Sequence, residues 1–368
     1  MKKLILILTV ILLCLCVVAC IQLNPADVPE QTQPSTTVQN TTLPKPTEPT
    51  PTETVPDGWH EAEGSRYYYE NGQPLTGWQE IDGLRRYFLS SGALAKGVAE
   101  IDGNRYFFDS EGCYTTGWQE ENGKRYYLGE DGVMHTGWLE QESVLYYFKE
   151  DGAMARGCVQ IDGVNNYFTS TGAYILVVNP WNFMPDGYAP DLKELSSTYA
   201  SSGNKVDSSC YDALKEMIKA CNKTSGHRVC VVSSYRSVSL QTKLFNNQVN
   251  RNLKKGYSQE EAERLAAQVV AVPGTSEHHS GLAVDIIDSC CSWELEELQE
   301  DLPGQQWLME HCWEYGFILR YPKDKTEVTG IIYEPWHYRY VGKELAKELH
   351  ELGLTLEEYL TMLTEEEK

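Results

Sequence analysis

Between Asp57 and Tyr174 the chain returns to the same short pattern about every twenty residues. A glycine followed by tryptophan or a substitute opens each unit: Gly58-Trp59, Gly77-Trp78, Gly97-Val98, Gly117-Trp118, Gly137-Trp138 and Gly157-Cys158. About nine residues further on lies an aromatic cluster, such as Tyr67-Tyr68-Tyr69, Tyr106-Phe107-Phe108 or Tyr146-Tyr147-Phe148. Turn-forming pairs lie between, among them Asp82-Gly83, Asp102-Gly103, Asn122-Gly123, Asp131-Gly132 and Asp151-Gly152. Two short aromatic strands joined by Asn-Gly or Asp-Gly make a β-hairpin. One hairpin cannot cover its own aromatic face, so six in series must stack as a solenoid.

The repeats occupy only part of 368 residues, and a chain of that length exceeds one compact domain. A formal net charge of −22 argues against a nucleic-acid partner, which calls for a basic footprint. With 41% of residues hydrophobic, wholesale disorder is excluded. The excess of 23 Tyr and 9 Trp over 8 Phe suggests half-exposed aromatic surfaces of the kind that bind sugars or cell walls.

Export is expected from the N-terminus. Met1-Lys2-Lys3 is a basic start, and the apolar run Leu4 to Ala19 is too short for a permanent span, so residues 1–20 read as a signal peptide. Val17-Val18-Ala19-Cys20 resembles a bacterial lipobox, which implies lipidation at Cys20 and a membrane anchor. Residues 21–56 hold eight of the sixteen prolines and nine threonines, and so form an extended spacer without a core. Residues 57–175 are the repeats and 176–368 a separate domain. Eleven cysteines in an exported chain suggest disulfides; Cys210, Cys221, Cys230, Cys290, Cys291 and Cys312 are the six in the last domain, and stapling is their plain reading.

The repeats resemble the cell-wall-binding, choline-binding-type repeats of Gram-positive surface proteins. In choline-binding members a second tryptophan just before the tyrosines helps cage the quaternary ammonium. That position here reads Arg66, Arg86, Arg105, Arg125, Leu145 or Asn166, which puts choline in doubt and leaves other wall polymers or glycans open. Trp59, Trp78, Trp118 and Trp138 are the wall-binding candidates, although most of the aromatics are expected to fill the solenoid itself.

Residues 176–368 mix helical and strand patterns, which suggests an α+β domain. Helices are expected over Cys210–Cys221, Ser239–Lys254, from Ser258 with its capping partner Glu261 to about Val270, over Gln306–Tyr315 and over Lys343–Leu352. Strands are expected at Val229–Ser233, Phe317–Arg320 and Val328–Tyr333. Two imidazoles and a carboxylate suit Zn²⁺ with a position left for water, and His278, Asp285 and His337 supply that set. Glu334 is a candidate base for the water's proton. Only three residues from His337, it would face the opposite side of a regular strand, so the chain must bend there. Arg236 is a candidate for meeting an oxyanion or a substrate carboxylate. Taken alone each of these residues reads as ordinary; their joint order does not.

The pattern Ser276-x-His278-x-x-Gly281-x-Ala283-x-Asp285, followed by Glu334-x-Trp336-His337, resembles zinc D-alanyl-D-alanine carboxypeptidases of the VanY type, within the lysostaphin- and Hedgehog-like zinc peptidases. The resemblance implies a Hedgehog/D-Ala-D-Ala-peptidase-like α+β zinc domain beside the all-β solenoid. It makes His278, Asp285 and His337 the Zn²⁺ ligands, Glu334 the general base and Arg236 the transition-state cation. Tyr235, Gln241 and Ser276 would line the substrate site, and His279 would be a bystander. The expected protein is a lipid-anchored carboxypeptidase trimming peptidoglycan stem peptides. An L,D-carboxypeptidase, an endopeptidase of the same zinc class and an inactive wall-binding protein are the alternatives.

Overall fold

A computed structural model describes residues 55–142, 144–289 and 294–365. The signal peptide, Cys20, nearly all of the spacer, Cys290 and Cys291 lie outside the described residues.

Six antiparallel hairpins run from Gly58–Ala62 with Ser65–Glu70 to Gly157–Ile161 with Val164–Phe168. Five of their turns carry positive φ at two successive positions, as at Asp82 (55°) and Gly83 (72°), the geometry that Asp-Gly and Asn-Gly favour. The tryptophans mostly close the stack. Trp59, Trp78, Trp118 and Trp138 each meet a tyrosine of their own hairpin at 5.1–5.4 Å and a phenylalanine of the following one at 5.8–6.0 Å. Those phenylalanines, Phe88, Phe108, Phe148 and Phe168, are fully buried. Of the four candidate tryptophans only Trp138 is exposed, at 41%, and the others are half-buried.

The strand registers correct two positions of the sequence alignment. Arg85, not Arg86, pairs with Glu80 as Arg66 pairs with Glu61, and Asn165, not Asn166, pairs with Gln160. Arg86 instead takes the row occupied by Tyr67, where it is buried and bonds the carbonyl of Glu111 at 2.9 Å. Counting backward from the tyrosines mistakes its face, because the second repeat has one tyrosine fewer.

The remainder is a four-stranded antiparallel sheet in the order Val229–Ser233, Ala283–Asp288, Glu334–Tyr340, Phe317–Tyr321. Helix Ser208–Ser225, capped by Asp207 and ended by Gly226 in the left-handed region, packs on it through Leu214, Met217 and Ile218. Helices Val238–Lys254 and Gln259–Ala267 form a pair, the latter capped by Ser258 as expected but ending before Val270. Helix Pro303–His311 passes into a 3₁₀ turn, Cys312–Tyr315, over the stretch read as one helix. The strand expected at Val328–Tyr333 is absent. Its first two residues end a short helix, Thr326–Thr329, and the strand begins only at Glu334. Its β-branched residues fit a strand, but Gly330 with φ 76° ends the helix and turns the chain.

The repeats and the sheet domain share a core. Ile175 and Val177 pack with Leu345, Leu349, Leu356, Tyr359 and Leu360 of the last two helices, and Tyr167 of the sixth hairpin packs against them. Stapling is not observed among the described cysteines. Cys210, Cys221, Cys230 and Cys312 are unpaired and buried, and burial pushes the thiols of Cys210, Cys221 and Cys312 up to about 12. They serve as small core residues rather than bridges.

Close stacking of the repeats generates a test. A Cβ on Gly132 (φ 78°) would lie 2.1 Å from the Tyr114 ring of the preceding repeat, whereas one on Gly103 (φ 80°) would meet nothing. Gly103→Ala should cost about 1–2 kcal/mol from the left-handed backbone alone, and Gly132→Ala about 1–3 kcal/mol more from overpacking. Thermal unfolding followed by near-UV circular dichroism should separate the two; equal losses would refute the stacking contact.

Candidate metal centre and its charged support

Sheet register assembles the site. Val231 pairs with Ile286 and Ser233 with Asp285, an irregularity that brings Ser233 opposite Asp285, and Asp285 in turn lies opposite His337. Three neighbouring strands therefore contribute one row. His278 reaches the same place from the 3₁₀ turn Glu277–Ser280, which Gly281 closes just before the Asp285 strand.

The bend expected at Pro335 is a bulge. Leu319 pairs with Tyr338 and Tyr321 with Glu334, so a step of two residues on one strand faces a step of four on the other. The extra residues turn Glu334 and His337 to the same side, and Glu334 Oε2 lies 3.4 Å from His337 Nδ1.

One ligand atom each from His278, Asp285 and His337 lies within 4.8 Å of the others, and all three residues are buried. His278 Nδ1 donates to the carbonyl of Ser234 at 2.7 Å, leaving Nε2, 3.4 Å from Asp285 Oδ2, as the free lone pair. His337 turns Nδ1 toward Asp285 Oδ1 at 3.2 Å, and Asp285 Oδ1 is buried without a hydrogen bond. A buried carboxylate oxygen without a donor and two imidazole nitrogens converging on it fit a divalent cation.

The charges agree. Burial, then the charge of Arg236, lowers His278 to about 4, so it is a neutral imidazole able to ligate. Burial opposes ionisation of Asp285, but His278 and Arg236 outweigh it and hold the carboxyl well below its usual range. Burial raises Glu334, with His337 partly opposing, which moves it toward the range of a useful base. His337 is raised despite its burial because Asp285, Glu277 and Glu334 all face it. That surplus of carboxylate is what a cation would balance.

Arg236 belongs to this cluster. Its Nη2 bonds Asp285 Oδ2 at 2.5 Å, Nε and Nη2 bond Ser233 Oγ at 2.9 and 2.7 Å, and Nη1 is left over. The side chains of Ser276, Tyr235 and Gln241 stand outside it; none hydrogen-bonds a candidate ligand among the described residues. Gln241 is fully buried, its amide donating to the carbonyl of Ala271 at 2.7 Å. His279 is a staple: Nδ1 bonds the carbonyl of Arg236 at 2.7 Å and Nε2 accepts the N–H of Gly274 at 3.2 Å.

Sequence reasoning passed over Glu277. Fully buried, it lies 3.6 Å from His337 Nε2 through Oε2, and its Oε1 meets Arg320 Nε at 2.8 Å and Arg339 Nη1 at 3.1 Å. Arg320 continues to both oxygens of Glu357 on the last helix. Burial opposes the charge of Glu277, but the two arginines hold its carboxyl far below the usual range. A visible trace was the alternation of His337 and Arg339 on one strand face beside an acid inside the motif.

The family model for D-alanyl-D-alanine carboxypeptidase, VanY, matches residues 203–343. The match falls within the C-terminal domain, which is similar to this family. A model for the choline-binding repeat matches residues 75–112 and 115–157. The chain is 38% identical over 190 residues to the putative carboxypeptidase YodJ of Bacillus subtilis (strain 168), and 40% identical over 187 residues to a D-alanyl-D-alanine carboxypeptidase of Enterococcus faecalis (strain ATCC 700802 / V583). Each match takes in 50% of this chain, which spans 66% and 65% of those relatives, slightly under two thirds. Among solved structures, a point mutant of the vancomycin resistance D,D-pentapeptidase VanY in complex with Zn(II) is 39% identical, with a TM-score of 0.45, covering 50% of this chain and 97% of that one.

Carboxylates that orient a ligating histidine typically account for about 10–100-fold in metal affinity. Glu277→Gln should therefore bind Zn²⁺ about 10–100-fold more weakly in competition with a chelator. Unchanged affinity would remove Glu277 from the support of His337.

Proposed function

We propose that the protein is a zinc-dependent D-alanyl-D-alanine carboxypeptidase that removes the terminal D-alanine from peptidoglycan stem peptides at the outer face of the membrane. The observation that carries this reading is the buried His278–Asp285–His337 set with Glu334 turned onto it by the bulge. Zn²⁺ on these three residues supplies a Lewis acid that polarises a carbonyl and makes water more acidic.

The chain's own groups do the rest. Glu334 takes the proton of the attacking water at its carboxylate and delivers it to the leaving amine, and its burial-raised affinity for a proton suits both transfers. Arg236, fixed by Ser233 and Asp285, offers its remaining Nη1 donors to negative charge developing on the scissile carbonyl oxygen. Gln241 and His279 hold the loops that carry Ala271 and Gly274, and with Ser276 and Tyr235 they shape the approach to the site. The repeats hold the enzyme at a wall polymer or glycan, and a lipid on Cys20 anchors it to the membrane.

Ligand and base should fail differently. His337→Ala should lose metal and activity together. Glu334→Ala should keep its zinc, measured by atomic emission, and lose roughly two to four orders of magnitude in D-alanine release from a pentapeptide-stem muropeptide. Near-wild-type turnover by Glu334→Ala would show that another group is the base. A zinc-loaded wild type that releases no D-alanine would transfer the assignment to endopeptidase or L,D chemistry. Labelled palmitate should enter the wild type and not Cys20→Ala; equal labelling would remove the lipid anchor.

A further inference from the structure

Three of the four repeat tryptophans already carry a guanidinium on one face. The Arg66 guanidinium lies 4.4 Å from the Trp59 ring centre, Arg85 lies 4.5 Å from Trp78, and Arg125 lies 4.3 Å from Trp118. The ladder explains this. Arg66, Arg85 and Arg125 pair with Glu61, Glu80 and Glu120, each two positions from its tryptophan and so on the same face. A guanidinium resting on the ring satisfies its cation–π attraction and repels a second cation. At Trp138 the corresponding residue is Leu145, which leaves that ring without a guanidinium.

Positive charge gathers at one junction. Lys124 and Arg125, from the second strand of the fourth hairpin, share a cavity of about 200 Å³ with Lys149, Asp151, Met154 and Arg156 from the loop after the fifth. Four cations thus line it against one carboxylate, in a chain whose net charge is −22. Asp151 is spent on Lys124 at 3.0 Å and on the N–H of Ala153 at 3.0 Å. Arg125, Lys149 and Arg156 make no ion pair among the described residues. Arg125 is also held in place by its stacking on Trp118, so less side-chain entropy is lost when it takes a ligand.

We propose that this cavity binds the anionic groups of a wall polymer, so that the repeats hold the enzyme through phosphate or carboxylate rather than through an ammonium. The inference rests on the proposed function only for the setting of the wall. The shared chemistry is a string of oxyanions, which Lys and Arg recognise by charge-assisted hydrogen bonds.

The test is isothermal titration of the full chain with poly(glycerol phosphate) and, separately, with polygalacturonate. At least one should bind at about 50 mM salt and weaken roughly tenfold or more at about 300 mM, as screening of exposed charges requires. Binding of the first alone identifies a phosphodiester, and of the second a carboxylate. K149E/R156E, at two exposed positions, should weaken binding at least tenfold while turning over a soluble pentapeptide at the wild-type rate. Choline chloride should compete no better than sodium chloride. Failure of both polymers to bind, undiminished binding by K149E/R156E, or selective displacement by choline would overturn the proposal. Pentapeptide turnover reads the catalytic assignment separately, so either conclusion can fail without the other.

Discussion

A buried carboxylate, Glu277, ties the C-terminal half of the molecule together. It faces His337 on one side and Arg320 and Arg339 on the other, and Arg320 reaches on to Glu357 in the last helix. Buried charges are costly unless fully paired, and removing one partner strands the others. This chain of charges therefore does more than stabilise. It holds the sheet strand bearing His337, the 3₁₀ turn bearing His278 and the C-terminal helix in one arrangement. The same helix packs on Ile175, which pairs with Tyr167 of the last hairpin, and on Val177 just beyond it. The orientation of the candidate ligand His337, the position of its strand and the attachment of the repeats are thus linked through a few residues.

The solenoid depends on a different constraint. Each hairpin presents an aromatic face to the next; from the second hairpin on a buried Phe or Leu forms its floor, and tryptophan crosses four of the five junctions. The arginines add to this by lying on the outer tryptophan faces. They occupy ring faces that would otherwise attract a cationic ligand.

The described cysteines show how burial redirects a residue type. Export and an abundance of cysteine suggested bridges, yet Cys210, Cys221 and Cys312 fill the core between the sheet and its helices. With their thiols held near 12 they stay protonated, and neither oxidation nor metal binding is favoured there.

The hairpins were legible in the sequence because a turn of two residues is decided by those residues and their neighbours: Asp-Gly and Asn-Gly choose the left-handed turn and the aromatics choose the strands. The donor set was legible for a related reason, since His278, Asp285 and His337 are the residue types a metal needs and their motif order is specific. What the tertiary structure alone decided is where long-range partners meet. The bulge opposite Leu319 and Tyr321 turns Glu334 onto the site, a register that no local pattern specifies. Glu277 finds Arg320 and Arg339 only once the sheet order is set, and Arg85 rather than Arg86 reaches Trp78 because strand pairing chooses its face. Local sequence determines turns and side-chain chemistry, whereas pairing between distant segments is determined by the packing that brings them together.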